Sequence, residues 1–378
     1  MDKREAQIRS FLKAATWDKA DRGPVPGDAS SRRYERLTLG DKQAVLMDSP
    51  VGAETPSEPE GASQAERKAL GYNALARIAG NNPEAFACIS NELTKRGFSA
   101  PQILAADLDK GFMLLEDLGD NLYARVIEAD PSKERQLYEA AIDTLAAIYR
   151  STFPPTAEFD GKTWRIRDYD SAALLAEADL FLDWYAKDFG RDIQGKARAD
   201  WNEIWAELFK SLDAHAPGLA LRDFHAENIF WLPERQATER VGLIDFQDGL
   251  FVHPAYDLVS LIEDARRDVS SGLAKPLMKR FCQKAGLKYG SKFKTAYAVM
   301  GAQRNAKILG IFVRLAERDG KPHYRDLIPR VAAHFQNNLE DPKCARLKAW
   351  VSTHVPDCLL YTSPSPRDAT LSRMPSSA

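Results

Sequence analysis

The sequence predicts an α+β fold of two lobes, a small N-terminal lobe of strands and helices and a larger, mainly helical C-terminal lobe. Three observations carry this prediction. Short strand-like and helical segments alternate up to Leu118, and longer amphipathic helical segments follow from Asn121 onward. One pair of short, apolar, strand-like segments interrupts the helical half. We therefore expect domains at residues 1–118 and 119–357, with a separate tail at residues 358–378.

Seven elements are expected in the N-terminal lobe. The first helix carries Ile8, Phe11 and Leu12 at the spacing of one helical face. A Gly/Pro/Ser-rich loop then leads into two extended segments joined by a Gly-Asp-Lys turn at residues 40–42, which predicts a β-hairpin. A later helix has an N-cap asparagine, Asn82, a proline at its first position and a glycine just beyond its end. In order, the elements are helix 2–15, strands 33–39 and 43–48, helices 65–79 and 83–96, and strands 103–106 and 112–115.

The C-terminal lobe is predicted from long segments whose apolar residues recur with helical periodicity. A short hairpin lies among them, with a polar loop between its strands. The expected helices span residues 134–151, 171–189 and 196–214, with several more between 256 and 351, and the expected strands span 229–232 and 241–244.

Composition and charge exclude several classes of protein. The 378 residues carry 52 basic and 54 acidic side chains, and the resulting net charge of −2 offers no electrostatic footprint for nucleic acid or an acidic membrane surface. No run approaches the roughly 20 apolar residues of a membrane span, and the charged N-terminus is unlike a secretory signal. Four scattered cysteines without a CxxC pair argue against structural zinc and a disulfide framework. We expect a cytoplasmic protein that binds neither nucleic acid nor membrane.

Three polar residues flank the hairpin predicted in the C-terminal lobe. Asp223 precedes the first strand, Asn228 opens it and Asp245 closes the second strand. Because the start of one antiparallel strand lies beside the end of its partner, we expect Asn228 and Asp245 to be neighbours. Their oxygens suit Mg²⁺ held through phosphates, while Asp223 can accept a hydroxyl proton, as phosphoryl transfer requires. The alternative is that Asp223 and Asn228 are a turn residue and a strand cap.

The spacing of these residues resembles that of the protein-kinase-like superfamily. The LRD at 221–223 resembles the catalytic HRD element, Asn228 its asparagine, and the IDF at 244–246 the metal-binding DFG element. The following stretch, HPAYDLVSL, resembles that of aminoglycoside and small-molecule phosphotransferases, which implies that Asp257 braces the catalytic loop. His225, within the loop, has two interpretations, a general base or a packed side chain.

Five blocks taken together resemble the bacterial anomeric N-acetylmuramate/N-acetylglucosamine kinases of cell-wall recycling. They are GDASSRRYERL, VLMDSP, LLEDLGD, LRDFHAENIFWLP and IDFQDG, and the resemblance covers nearly everything before Cys358. It implies a protein-kinase-like fold and transfer of the γ-phosphoryl group of ATP, with Mg²⁺, to a sugar hydroxyl. On this resemblance Asp223 is catalytic, and Asn228 and Asp245 hold the metal. We expect a monomer whose partners are ATP and a small amino sugar.

The nucleotide is expected to contact a Gly/Ser-rich loop, the strand that follows it and the hinge at residues 116–119. The small residues of GDASSRRY let backbone N–H groups approach phosphates, and Arg32 or Arg33 adds positive charge. Kinases carry a lysine where the next strand has Met47, so the partner of the α- and β-phosphates is unassigned, with Arg33 and Arg36 as candidates. The predicted nucleotide contacts are Gly27, Ser30, Ser31, Arg33, Glu116 and Leu118.

The acceptor sugar is expected against the segment EADLFLDWY, residues 177–185. Asp179 and Asp183, four residues apart on one helical face, can bond sugar hydroxyls, and Trp184 can stack on the pyranose ring. The alternative is an amphipathic packing helix with a solvated acidic face.

Two other functions fit the same residues. An antibiotic phosphotransferase would need an acidic pocket for its polycationic substrates, whereas the C-terminal helices are rich in arginine: Arg304, Arg314, Arg318 and Arg325. Met47 suggests the second alternative, a catalytically silent nucleotide-binding module.

The tail, residues 358–378, has no apolar periodicity and is rich in proline and serine. It resembles the translation of a sequencing adapter, so we interpret it as a non-native tail. The alternative is a natural disordered tail.

Overall fold

The computed structural model describes residues 3–25, 32–50, 62–70, 75–76, 79–80, 82–212 and 215–356. Contacts within the chain divide it into two compact units. The first comprises Met1–Tyr169, Pro217–Leu261 and Gly272–Lys288, and the second comprises Asp170–Ala216, Ile262–Ser271 and Tyr289–Ala378. Both units are assembled from separate stretches of chain. The predicted boundary near residue 118 separates a nucleotide-binding lobe from a catalytic lobe by their expected functions, not by contacts within the chain. It stays a prediction.

The first unit contains a five-stranded antiparallel sheet in the order β1-β2-β3-β5-β4. Its strands are β1 Asp21–Val25, β2 Arg33–Leu39, β3 Lys42–Asp48, β4 Ile103–Asp107 and β5 Phe112–Glu116. Between β2 and β3, Tyr34 lies opposite Met47 and Arg33 lies opposite Asp48. Because successive residues of a strand point to opposite faces, Tyr34 and Met47 share one face and Arg33 and Asp48 share the other.

Strand β1 lies partly in the segment for which the sequence predicts a loop, so that prediction is wrong for residues 23–25. The strand forms one edge of the sheet, where a residue without a backbone N–H such as Pro24 is tolerated. Its residues are intermediate or exposed, which leaves no alternation of apolar and polar residues to reveal it.

Helix α1 (Lys3–Ala14) packs on one face of this sheet, as its apolar spacing predicts. Ile8, Phe11 and Leu12 are buried there in one cluster with five sheet residues, Leu37, Ala44, Leu46, Phe112 and Leu114. Leu37, Ala44 and Leu46 alternate in phase with Arg33 and Asp48. Tyr34 and Met47 therefore lie on the face opposite α1.

Among the residues that the structure describes after the hairpin, α2 spans Gln64–Leu70 and α3 spans Pro83–Lys95. Within the predicted helix 65–79, the structure describes helical residues in α2 and at 75–76. At the start of α3 the backbone N–H of Glu84 donates to Asn82 Oδ1 at 2.8 Å, which confirms the predicted N-cap.

The rest of the first unit combines helices with short strand pairs. Its helices are α4 Tyr123–Ala129, α5 Glu134–Arg150, α8 Ala255–Ile262 and α9 Ala274–Ala285. The last residue of α8, Ile262, already belongs to the second unit. The predicted hairpin is present as β9 (Ile229–Trp231) and β10 (Val241–Leu243). Two further pairs were not predicted, β6 (Thr156–Phe159) with β7 (Lys162–Arg165) and β8 (Gly218–Ala220) with β11 (Leu250–Val252). Strands of three or four residues are too short for their alternation to stand out in the sequence.

The second unit is helical in the part of it that the structure describes. Its helices are α6 Ser171–Leu180, α7 Gly195–Lys210, α10 Ser291–Glu317, α11 Ile328–Leu339 and α12 Ala345–His354. The prediction of one continuous α-helix over 171–189 is wrong in part, because Phe181–Ala186 forms a π-helical segment. No helix within the described ranges is long and apolar enough to cross a membrane.

Candidate active site

The β9–β10 hairpin brings the predicted metal ligands together. The N–H of Ile244 donates to the carbonyl of Asn228 at 3.2 Å, which extends the pairing to the hairpin's open end. There Asn228 Nδ2 lies 3.3 Å from Asp245 Oδ2 and donates to it. The expectation that these two residues are neighbours is confirmed.

The hairpin is held on both sides by backbone hydrogen bonds. Leu243 N–H donates to the carbonyl of Ser99 at 2.8 Å, and Trp231 N–H donates to that of Asn121 at 2.8 Å. Beyond the hairpin, the ring of Phe246 is fully buried and stacks on Phe86 of α3 at 4.9 Å between centroids. These contacts join the hairpin to α3 and to the segments at Ser99 and Asn121, and Phe246 anchors the chain next to Asp245.

The loop of Asp223 is fastened to the same end. Asn228 Nδ2 donates to the carbonyl of Asp223 at 3.0 Å. The buried carboxylate of Asp257 accepts from the N–H of Leu221 at 2.6 Å and from that of Arg222 at 2.9 Å, which confirms that Asp257 braces the loop. Arg222 has a left-handed φ of +72°, a conformation that costs energy for a residue with a side chain. The brace therefore stabilises a strained turn just before Asp223.

Asp245 has the electrostatics of a carboxylate that a cation would stabilise. It too has a left-handed φ, +59°, and Gln247 Nε2 donates to its Oδ1 at 2.8 Å. Surrounding protein groups displace part of its hydration and raise its pKa, and the negative charge of Asp223 raises it further. The described residues contain no group of three or more His, Cys, Asp or Glu that could hold a metal. Mg²⁺ typically takes one or two protein ligands besides phosphates and waters, so Asn228 and Asp245 fit it.

His225 is a packed side chain in this structure. It is 5% exposed, its Nδ1 accepts from the N–H of Glu227 at 3.4 Å, and its Nε2 lies 3.3 Å from Asn228 Nδ2. These contacts favour the interpretation of His225 as a packed side chain over its interpretation as a general base.

The structure describes only some of the residues predicted to contact the nucleotide. Gly27, Ser30 and Ser31 lie outside the described residues. The side chain of Arg33 is 64% exposed, with Nη2 3.1 Å from the buried Asp48. Met47, at the position of the kinase lysine, is fully buried. The nucleotide role of Arg33 stays a prediction.

The hinge is fixed by charged side chains. Arg36 pairs with Asp117 at 2.6 Å and with Asp120 at 3.0 Å, so it is engaged by the hinge. Glu116 pairs with Arg235, and its N–H donates to the carbonyl of Gln102 at 2.8 Å. Leu118 is 9% exposed. The contacts of Glu116 and Leu118 with adenine remain predictions.

Arg32 stands beside Asp245, a placement that the sequence analysis did not single out. Its side chain is 7% exposed, and Nη1 lies 3.8 Å from Asp245 Oδ1. It also hydrogen-bonds the side chain of Tyr34. The sequence held one signal for this placement, the alternation of strand residues. Arg32 precedes Tyr34 by two residues, and Tyr34 lies opposite Met47, so an extended chain would direct Arg32 and Met47 to the same face.

The predicted acceptor wall lies in the second unit and is held by one arginine. Arg198 pairs with Asp179 at 3.1 Å and with Asp183 at 2.8 Å, and Trp201 Nε1 donates to Asp179 at 3.0 Å. Burial raises the pKa of Asp179, against the opposing effect of Arg198. These bonds give both carboxylates a structural role, and contact of Asp179, Asp183 and Trp184 with a sugar stays a prediction.

The sequence matches the model of the phosphotransferase enzyme family known as APH over residues 21–291. This chain belongs to that family. The match includes Asp223, Asn228 and Asp245, so the site described above lies within the family's domain. The predicted enzyme class, a phosphotransferase, is confirmed.

Among curated proteins, the N-acetylmuramate/N-acetylglucosamine kinase of Caulobacter vibrioides is 44% identical over 353 residues. The alignment covers 93% of this chain and 97% of that relative. The two phosphotransferases are therefore similar over nearly their whole lengths.

Solved structures confirm the predicted protein-kinase-like fold. A choline/ethanolamine kinase family protein from Mesorhizobium loti matches with a TM-score of 0.54 at 16% identity, over 93% of this chain and 99% of that one. The GDP complex of wild-type aminoglycoside 2′-phosphotransferase-IIIa matches with a TM-score of 0.52 at 12% identity, over 89% of this chain and 100% of that one.

Proposed function

We propose that this phosphotransferase transfers the γ-phosphoryl group of ATP to the anomeric hydroxyl of N-acetylmuramate or N-acetylglucosamine. The observation that carries the proposal is the 44% identity, over 93% of this chain, to the N-acetylmuramate/N-acetylglucosamine kinase of Caulobacter vibrioides. The convergence of Asp223, Asn228 and Asp245 supports it, because these are the residue types that phosphoryl transfer to a hydroxyl needs.

In this proposal Asp223 orients the acceptor hydroxyl and takes its proton. The Asp257 brace and the bond from Asn228 hold the backbone of the loop in place, so the backbone that carries the Asp223 carboxylate does not have to be ordered when the substrates bind. Asn228 and Asp245 would hold Mg²⁺, which when bound neutralises phosphate charge. Asp223 and Asp245 thus have separate tasks although their charges interact.

The anomeric position is chemically suited to such a base. An anomeric hydroxyl is more acidic than the other hydroxyls of a sugar, so a carboxylate of ordinary basicity can accept its proton during transfer. The product would be a sugar 1-phosphate without a free reducing end. Asp179, Asp183 and Trp184 remain our candidates for the acceptor wall, on the hypothesis that Arg198 orients the two carboxylates toward sugar hydroxyls.

The test is the identity of the product. Purified protein is incubated with Mg·ATP and either N-acetylglucosamine or N-acetylmuramate, with glucose and kanamycin as comparison acceptors. We expect ADP release with the amino sugars and a phosphorylated product that no longer reduces alkaline copper and shows a phosphorus-coupled anomeric proton. A 6-phosphate that still reduces would exclude the anomeric assignment. Turnover with kanamycin alone would favour an antibiotic phosphotransferase, and absence of turnover with every acceptor would reject the proposal.

A further inference from the structure

We propose that Arg32 is the cation that contacts the phosphate chain of the nucleotide, in place of the lysine that β3 lacks at Met47. This inference rests on the proposed ATP-dependent function and assigns a residue to it. It begins with strand register. Tyr34 lies directly opposite Met47, and Arg32 precedes Tyr34 by two residues. Arg32 lies one residue before β2, and its hydrogen bond with Tyr34 places its side chain on the face of the sheet that carries Met47, opposite the face covered by α1.

The other arginines of this region are directed elsewhere. Arg33 has the opposite orientation and pairs with Asp48 on the α1 side of the sheet, where Arg4 also donates to Asp48 at 2.9 Å. Arg36 shares the face of Arg32 but is engaged by Asp117 and Asp120 of the hinge. Of the two candidates from the sequence, one is thus on the wrong face and the other is committed to the hinge.

Arg32 is held at the metal end of the site. Its guanidinium lies 3.8 Å from Asp245, its side chain is 7% exposed, and it hydrogen-bonds Tyr34. A third contact, at 3.5 Å, joins Nη2 of Arg32 to the carbonyl of Gly80. Burying a guanidinium is unfavourable unless it is paired, so these partners fix its position before a nucleotide arrives.

The local charge favours such a cation. Asp223, Asp245 and Asp248 bring three carboxylates to the region, and Asp248 is fixed by the N–H of Ala79, which donates to it at 3.2 Å. A nucleotide adds further negative charge. The guanidinium stays protonated in any protein environment and offers a planar set of donors that can bond a phosphate while keeping a carboxylate. Arg32 can therefore serve both Asp245 and the phosphate chain.

The experiment measures nucleotide affinity by calorimetry, without acceptor sugar and in EDTA, so that the result does not depend on turnover or on metal. ATP, ADP and adenosine are each titrated into wild-type protein, Arg32→Gln, Arg32→Lys and Arg33→Gln. We expect Arg32→Gln to weaken ATP and ADP by roughly tenfold to a hundredfold, the range for a lost charge-assisted hydrogen bond, and to leave adenosine unchanged. Arg32→Lys should recover part of the loss.

A second arm separates a phosphate contact from a counter-ion of Asp245. In an Asp245→Asn background the carboxylate charge is absent, so a mere counter-ion would no longer matter, whereas a phosphate contact still would. We expect Arg32→Gln to weaken ADP in this background too. Arg9→Gln, with a side chain 66% exposed on α1, is the matched charge control and should bind like the wild type.

Four results would overturn the inference. They are unchanged ADP affinity in Arg32→Gln, an equal loss for adenosine, disappearance of the effect in the Asp245→Asn background, or a larger loss in Arg33→Gln than in Arg32→Gln. Wild-type protein that binds neither ATP nor ADP even when excess Mg²⁺ replaces the EDTA would instead reject the proposed function itself.

Discussion

At the scale of single residues, substitutions of the two aspartates of the site should have different effects on catalysis and on nucleotide binding. Asp223→Asn removes the proton acceptor but keeps the shape of the side chain, so kcat should fall by roughly 10²- to 10⁴-fold with ATP affinity nearly unchanged. Asp245→Ala removes a proposed metal ligand, so the affinity for Mg·ATP should fall as well. Steady-state kinetics at varied ATP and Mg²⁺, with calorimetry for binding, distinguish the two patterns. Wild-type turnover by Asp223→Asn would remove that residue from the mechanism.

The sequence could predict the convergence of Asn228 and Asp245 because antiparallel pairing alone decides which strand ends meet. It could not rank Arg32 above Arg33, because that choice depends on which face of β2 each side chain occupies. The left-handed backbone of Arg222 and Asp245 was equally hidden, since neither is glycine and nothing nearby forces a turn.

At the scale of elements, Gly310 should be indispensable to the packing of α10. A Cβ built on Gly310 would lie 2.2 Å from the carbonyl oxygen of Leu180, at the point where α6 passes into the π-helical segment. Because the obstacle is backbone, Gly310→Ala can be accommodated only by separating the two helices, and we expect a loss of about 3 kcal/mol in the free energy of unfolding. Urea denaturation measures it. Gly23→Ala is the control, because nothing lies within 4 Å of a Cβ at that position.

A buried polar network connects α10 and α11 with the segment that follows α8. Glu263 is 8% exposed and accepts from Asn305 at 2.7 Å and from Asn338 at 2.9 Å. Asn338→Leu leaves a buried carboxylate with one donor fewer, so we expect a loss of roughly 2–3 kcal/mol. Combining it with Glu263→Gln should cost less than the sum of the two single changes, because the charge is then absent. Additive effects in urea denaturation would contradict this coupling.

Helical periodicity predicted the long helices of the second unit, but it could not predict the change of helix type at Phe181. The segment Phe181–Ala186 is apolar and aromatic, which is compatible with an α-helix or a π-helix. Packing decides between them. Phe181 stacks on Trp201 with ring centroids 5.5 Å apart, and Trp201 comes from a distant part of the sequence.

At the scale of the whole molecule, both units should protect their cysteines from reagents. Cys88 and Cys282 of the first unit and Cys344 of the second are each at most 1% exposed. Burial raises the pKa of the Cys88 thiol to about 11 and those of Cys282 and Cys344 to about 12, so all three stay protonated at pH 8. Since only the thiolate is nucleophilic, a disulfide reagent at pH 8 should label none of them rapidly in native protein.

The fourth cysteine, Cys358, lies in the segment 358–378, outside the described residues. We expect native protein to release at most one equivalent of chromophore quickly, and native Cys358→Ser protein to release none. Guanidinium-denatured wild-type protein should release four equivalents, because the sequence holds no CxxC pair that would favour a disulfide. The raised pKa values of the three buried thiols also predict the direction in which the free energy of unfolding changes with pH. The thiols bind protons more tightly when folded, so the free energy of unfolding should fall as the pH rises above the pKa of an exposed thiol, about 8.5. Rapid labelling of any thiol in native Cys358→Ser protein would contradict the labelling prediction and show that the unit holding that thiol opens far more readily than its packing implies.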